Sequence, residues 1–301
     1  MTATELDALR IVLHPVFQAA LAGALFIIMF SVALGLKVEH FAAIMEKPKA
    51  YASGAIGQIV GLPLLTLGLV FVLSPPASIA LGMIVVASCP GGNVSNLMTY
   101  FGRGDVALSV ALTATSSLVA AFFTPALILL WAGIYPPTAN LLQSIEFNAV
   151  AFLLQTTALL AVPLLSGMAI AHWVPNLAAR MRKPGAAVGA GILAIVVVVG
   201  SFDMAAHLFA AMPLILPPVL LHSASAFLLG GIIGRVIQAE IAARRTLTFE
   251  IGLQNTGLAL VILLGQLQGL GGAAAVAAVW GVWHLIAGGF MVWAFRRKSA
   301  P

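Results

Sequence analysis

The sequence predicts an all-α polytopic membrane protein with nine transmembrane helices: an inverted repeat of spans 1–4 and 6–9, with broken, crossing helices at spans 3 and 8. Three observations carry this. Of 301 residues, 61% are hydrophobic and only 8% charged, with a mean hydropathy of +1.10, whereas soluble domains carry about 25% charge. Apolar runs long enough to cross about 30 Å of hydrocarbon recur at 12–36, 50–73, 77–101, 106–133, 141–173, 186–208, 211–238, 246–268 and 272–295. When these runs are threaded back and forth, all but Arg10 of the 14 Lys and Arg residues fall on one side, and cytoplasmic loops are the ones that collect bases.

Those bases are Lys37, Lys47 and Lys49 after span 1, Arg103 after span 3, and Arg180, Arg182 and Lys183 after span 5. Arg235, Arg244 and Arg245 follow span 7, and Arg296, Arg297 and Lys298 follow span 9. The N-terminus is then outside and the C-terminus cytoplasmic. No polar stretch is long enough for a separate soluble domain. The formal charge of +5 is spread through short loops, which fits membrane topology and not nucleic-acid binding. The single cysteine, Cys89, excludes an intramolecular disulfide and argues against a cysteine metal cluster. Glu5 and Asp7 replace the basic segment of a signal peptide, so the first apolar run reads as a retained span.

Span 1 is apolar filler, and the loop with Glu39, Glu46 and Pro48 suggests a short interfacial piece. Span 2 places Gln58 among apolar residues, with Gly57 and Gly61 one turn apart and Pro63 beyond, a pattern of close helix packing. Span 3 is interrupted by Cys89-Pro90-Gly91-Gly92-Asn93-Val94-Ser95-Asn96. Pro and Gly open backbone N–H and C=O groups that hydrocarbon cannot satisfy, so this stretch is expected to face a polar cavity and hold an ion or solute. Asp105 is placed to cap span 4, whose Ser109, Thr113 and Ser117 share one face with Ser116 nearby. The alternative for such hydroxyls is a bond to their own i−4 carbonyl.

Span 5 carries Glu146 near its outer end, then Gln155, Thr156 and Thr157. Trp173, Trp280 and Trp293 read as interfacial anchors. Span 6 ends with Asp203 and His207, which read as a solvated outer rim, the alternative being an entry vestibule. In span 7, His222 is open between a proton-handling or substrate group and a hydrogen-bonded packing residue, and Gly230, Gly231 and Gly234 follow it. Span 8 holds Glu250-Ile251-Gly252-Leu253-Gln254-Asn255-Thr256-Gly257. A carboxylate at that depth must be protonated, paired or bound to a cation, and no Lys or Arg lies at the same depth to pair with it. Span 9 buries Trp283 and His284.

Interrupted polar spans at corresponding places in two halves are the sequence mark of a transporter built from inverted repeats. Ser95, Asn96, Ser109 and Thr113 offer neutral oxygens and Glu250 a charged one, a donor set suited to a hard cation and pointing to sodium. With no P-loop in the sequence, ATP hydrolysis is not expected and energy must come from an ion gradient. Three rivals stay open: proton coupling through Glu250 and His222, an efflux carrier for oxyanions acting through Cys89, and a binding protein that does not transport.

At C-P-G-G-N-V-S-N-L-M-T-Y with G-R-G-D-V-A-L-S-V-A-L-T, then T-L-T-F-E-I-G-L-Q-N-T-G-L-A and V-W-H, the chain resembles the bile acid:sodium symporter family, from about residue 20 onward. The resemblance implies no enzyme but a sodium-coupled symporter that imports an organic anion by alternating access across a bacterial inner membrane, with no obligatory protein partner. It implies one sodium site from Ser95, Asn96, Ser109, Thr113 and Glu250. A second would come from Gln58, Glu250 and Gln254 with backbone oxygens near Ile251 and Leu253. The anion would lie near Asn93, Asn255 and His284, with His222 a further candidate, between a core (50–133 and 211–295) and a panel (12–36 and 141–208). Bacterial members carry Thr at Asn93, Asn at Ser223 and Asn at Leu285, so this chain keeps the sodium ligands and departs on the substrate side. It also begins at the second helix of those members, leaving nine spans as in animal ones.

Overall fold

The computed structural model describes residues 2–36, 42–145, 147–200, 202 and 205–297. Among them the chain is helical, with two isolated β-bridges and no strand. The order is α1 (Ala3–Ala8), α2 (Pro15–Ala33), α3 (Ala42–Glu46) and α4 (Pro48–Ile56). A π-helical turn (Gly57–Gly61) joins α4 to α5 (Leu62–Leu73). There follow α6 (Ala77–Ser88), α7 (Asn93–Phe101), α8 (Val106–Ile134), α9 (Pro136–Ser144) and α10 (Ala149–Trp173). The chain closes with α11 (Pro175–Gly200), α12 (Ala205–Val236), α13 (Ile241–Gly252), α14 (Thr256–Gly265) and α15 (Gly271–Arg297). Seven helices among the described residues are long and apolar enough to cross a membrane, counting α4 through α5 as one. The expected spans 77–101 and 246–268 are each split into two shorter helices, α6 with α7 and α13 with α14.

Local chemistry explains the breaks. Pro90 has no N–H to continue α6, and Gly91 and Gly92 leave the helical region before α7 starts. α13 stops at Gly252, and α14 restarts on Asn255, whose Oδ1 accepts from Leu258 N–H at 3.0 Å. Asp105 caps α8 as expected, accepting from Leu108 N–H at 3.0 Å. In the loop expected after span 1 the described residues form a short helix, α3.

Three expectations are corrected. Span 5 begins at Ala149 and not 141, because Pro136 and Pro137 start a separate helix, α9, suited to a helix's first turn. Span 6 begins at Pro175 and not 186. Helical hydrogen bonding continues through the polar turns carrying Arg180, Arg182 and Lys183, which hydropathy alone places in a loop. Residues 205–208 belong to α12, so His207 sits in its first turn. Trp280 is no interfacial anchor: it is fully buried against His222, ring centroids 4.3 Å apart, whereas Trp173 and Trp293 are exposed. Lys37, Glu39, Glu146, Asp203 and Lys298 lie outside the described residues.

α2, α10 and α11 pack on one another, and a second group centres on α12, α13 and α15 with α4, α5, α6, α7 and α8. α12 meets α13 so closely that a Cβ at Gly230 would overlap the Leu247 carbonyl. α14 packs on α2 of the first group, while α7 packs on α8, α13 and α15.

One end of the bundle is basic. Lys47 Nζ lies 2.7 Å from Asp105 and 3.2 Å from Glu240. Arg245 donates to the carbonyls of Gly102 at 3.2 Å and Phe295 at 3.1 Å, and Arg296 donates to Phe101 O at 2.9 Å. Burial raises the Asp105 carboxyl, but the Leu108 N–H and the Lys47 ammonium outweigh it and hold the group below its ordinary value. Hydrogen bonds to Asp105 and Glu240 hold Lys47 above its own.

Candidate functional site

The two helix breaks cross. Gly91 and Gln254 form an isolated antiparallel bridge, and Asn255 N–H donates to Pro90 O at 2.9 Å. Part of the backbone opened by the Pro-Gly-Gly run is therefore satisfied by the opposite break, where sequence reasoning assigned it to a solute. Around this crossing the carbonyl ends of α6 and α13 and the N–H ends of α7 and α14 come together, so partial charges of both signs are presented at one place.

Glu250 sits on the last turn of α13, 1% exposed. Its Oε1 lies 2.7 Å from Ser95 Oγ, 2.5 Å from Ser109 Oγ and 3.3 Å from Thr113 Oγ1, and its Oε2 lies 3.1 Å from Thr113 Oγ1. Asn96 Oδ1 is 2.8 Å from Ser109 Oγ and 3.2 Å from Thr113 Oγ1. Ser95 Oγ is also 2.7 Å from Gly92 O, and Ser109 Oγ is 3.2 Å from Thr99 Oγ1. Each hydroxyl has one proton to give, so these protons cannot bridge all the close oxygen pairs at once. Such a cluster of oxygens around one carboxylate is relieved by a positive charge among them. Among the described residues no three His, Cys, Asp or Glu side chains come together, and Glu250 is the charged donor of this shell. Neutral oxygens plus one charge suit a hard monovalent cation.

Three helices supply the shell: α7 gives Ser95 and Asn96, α8 gives Ser109 and Thr113, and α13 gives Glu250. Ser109 and Thr113 share one face of α8 and reach the carboxylate. Thr66, Ser88, Thr246 and Thr248 instead bond their own i−4 carbonyls.

Gln58 lies in the π-helical turn, a distortion frequent at functional sites. It is buried and donates from Nε2 to the main-chain Glu250 O at 3.0 Å. Gln254 Nε2 donates to Ile251 O at 2.9 Å, and its Oε1 is buried with no hydrogen-bond partner among the described residues. Gln58 and Gln254 thus bond the main chain at Glu250 and Ile251, with an orphan acceptor beside them, while Leu253 is buried at the end of α13 with its N–H on Phe249 O at 3.0 Å. Cys89 is buried, and with Gln58, Ser88, Pro90 and Ser116 it lines a cavity of about 20 Å³, room for about one water.

The candidates for the anion are more dispersed. Asn93 is exposed on the first turn of α7, and Asn255 is half-buried as the cap of α14. His284 is buried; its Nδ1 lies 2.9 Å from Trp280 O, an acceptor only, so Nδ1 carries the proton and Nε2 accepts. His222 is fully buried apart from the oxygen shell. Thr66 Oγ1 gives its proton to Leu62 O at 2.8 Å, so it accepts from His222 Nε2 at 2.6 Å. Of the departures, Ser223 is buried and Leu285 is 45% exposed.

Sequence reasoning missed Thr99, which joins the shell through Ser109. It also missed Gly91, where a Cβ would stand 2.8 Å from Gln58 Nε2 and 3.3 Å from Glu250 Oε2. The Gly-Gly pair was a visible signal, read as a helix break and not as a close approach.

Comparison with known proteins agrees with this chemistry. The model of the Sodium Bile acid symporter family matches residues 22–208, more than half of the chain. A Bacillus subtilis protein named uncharacterized sodium-dependent transporter YocS is 33% identical over 90% of this chain and 81% of its own length. The probable sodium/metabolite cotransporter BASS1, chloroplastic, of Arabidopsis thaliana is 32% identical over 91% of this chain and 66% of its own. The human ileal sodium/bile acid cotransporter is 26% identical over 84% and 71%. The chain belongs to the sodium bile acid symporter family, a family of transporters and not of enzymes.

Proposed function

We propose that this symporter imports an organic anion with two sodium ions by alternating access. The observation that carries the reading is the convergence of Ser95, Ser109 and Thr113 on Glu250 at 2.5 to 3.3 Å. One sodium takes Ser95, Asn96, Ser109, Thr113 and Glu250. The second takes Gln58, Glu250, Gln254 and the main-chain oxygens near Ile251 and Leu253, where the orphan Gln254 Oε1 supports it. Each charge moved across 100 mV supplies about 2.3 kcal/mol.

Sodium neutralises Glu250, after which the N–H ends of α7 and α14 present a favourable field to the anion near Asn93, Asn255 and His284. His222 acts through Trp280, on which it packs and whose carbonyl holds His284. The nine crossings comprise the seven long helices plus the two broken pairs, as inverted repeats of spans 1–4 and 6–9. A core of 50–133 and 211–295 rocks against a panel of 12–36 and 141–208. With bases inside, the N-terminus is outside, in a bacterial inner membrane.

The test begins with a thermal-shift screen of carboxylates and sulfonates with and without sodium. Uptake of the hits into proteoliposomes under an imposed sodium gradient follows. Uptake that needs sodium and stops in potassium supports the reading. Uptake driven by a pH gradient without sodium replaces it with proton coupling, and binding without counterflow removes transport.

A further inference from the structure

Outside the oxygen shell, a groove of about 920 Å³ lies between α12 and α15, floored by α13. Leu228 and Ile232 form one wall and Ile286 and Phe290 the other, with Leu228 and Phe290 each 61% exposed. The groove runs along α12 from Ala224 to Arg235, about 16 Å at 1.5 Å per residue. That is half of a hydrocarbon core about 30 Å thick, the depth of one leaflet.

Its mouth at the basic end is lined by Arg235 and Arg244, and among the described residues no acidic side chain lines it. Both arginines line the groove, and Gly234, the residue before Arg235, packs on Arg244: a Cβ there would stand 3.0 Å from Arg244 Cα and 3.1 Å from its Cγ. Arg244 Nε donates to Ala239 O at 2.5 Å, which fixes its side chain at the rim. Arg245 is held behind them by the Gly102 and Phe295 carbonyls. An apolar trough one leaflet deep, ending in paired cations at headgroup level, matches a single class of molecule.

We propose that this groove binds an anionic phospholipid, with an acyl chain between α12 and α15 and its phosphate bridging Arg235 and Arg244. The headgroup then rests on α13, the helix whose opposite end carries Glu250. Basic pockets between transmembrane helices recognise anionic headgroups in this way. A zwitterionic lipid fits the trough, but beside its phosphate it brings a quaternary ammonium that the two arginines repel.

Native mass spectrometry of the purified protein, with phosphatidylglycerol titrated against phosphatidylcholine, tests this. Wild type is expected to retain one phosphatidylglycerol preferentially. Replacing both cations (Arg235→Gln with Arg244→Gln) should lower that preference roughly 25-fold, from the loss of two charges that attract a net anionic headgroup. Should the double variant fail to fold, Gly231→Phe fills the trough with the arginines intact. A Cβ there meets only Thr248 Oγ1 at an ordinary 3.6 Å, and the variant should lose retained lipid of both kinds. Equal retention of the two lipids by wild type, an unchanged preference in the double variant, unchanged retention in Gly231→Phe, or displacement of the lipid by equimolar glycerol phosphate would each overturn the proposal.

Discussion

Gly91 and Gln254 pair backbone to backbone at the crossing of the two broken helices, and this pairing brings the hydroxyls at the start of α7 against the carboxylate at the end of α13. The approach leaves no room for a side chain at position 91. A methyl group there would press on Gln58 Nε2 at 2.8 Å and Glu250 Oε2 at 3.3 Å. Gly91→Ala should therefore cost about 1 to 3 kcal/mol by overpacking and depress sodium-driven uptake. Gly68→Ala, with nothing within 4 Å of its Cβ, should leave both unchanged. Thermal unfolding in detergent and uptake into proteoliposomes read the two effects.

Removing single hydroxyls should weaken sodium without unfolding the bundle. Ser109→Ala and Thr113→Val each delete an oxygen beside the Glu250 carboxylate. A hydrogen bond to a charged group is worth about 1.5 to 3 kcal/mol, so each should raise the half-saturating sodium concentration at least tenfold, as measured by sodium-dependent uptake. Ser117→Ala, on the same face of α8 but with no bond to Glu250, serves as the control.

The basic end makes a pH prediction. Asp105 titrates below its ordinary 3.8, so its contribution is complete above that value and is lost as pH falls through the lower folded value. Lys47 titrates above its ordinary 10.5, so its share is complete below that value and is lost as pH rises through the folded one. Thermal stability should hold between those limits and drop on acidification below about pH 4. In Asp105→Ala, which also removes the cap of α8 and costs about 1 kcal/mol, this acid limb should be shallower.

Cys89 separates symport from oxyanion efflux. The thiol is buried beside Gln58 and Ser88 in a cavity of about 20 Å³, and it is not among the residues proposed to hold sodium. Cys89→Ser should cost about 1 to 2 kcal/mol of stability for burying a hydroxyl and leave sodium-driven uptake in place. Loss of all transport with intact folding would point to nucleophilic chemistry at sulfur.

The cluster of hydroxyls around Glu250 was readable in the sequence because membrane burial makes polar residues conspicuous. Glu250 could not stand alone in an apolar span, and the hydroxyls of Ser109 and Thr113 lay on one face of the helix that follows the other break. What hid was tertiary. The pairing of Gly91 with Gln254 joins segments 163 residues apart in number (91 to 254), and no local pattern announces it. The π-helical turn at Gln58 looks in sequence like ordinary helix. Hydropathy finds the hydrocarbon and not the helix, which is why α11 runs on through Arg180 and Lys183. Trp280 misled because a preference for interfaces is statistical, whereas its burial follows from His222 beside it.

The most direct measurement is equilibrium sodium binding to purified wild-type protein and to Glu250→Gln, which keeps the side chain's shape and removes its charge. Wild type should bind sodium saturably, and Glu250→Gln should fold normally, lose that binding and lose sodium-dependent uptake. Sodium binding of unchanged affinity in a folded Glu250→Gln protein would contradict the assignment of the coupling ion to this carboxylate.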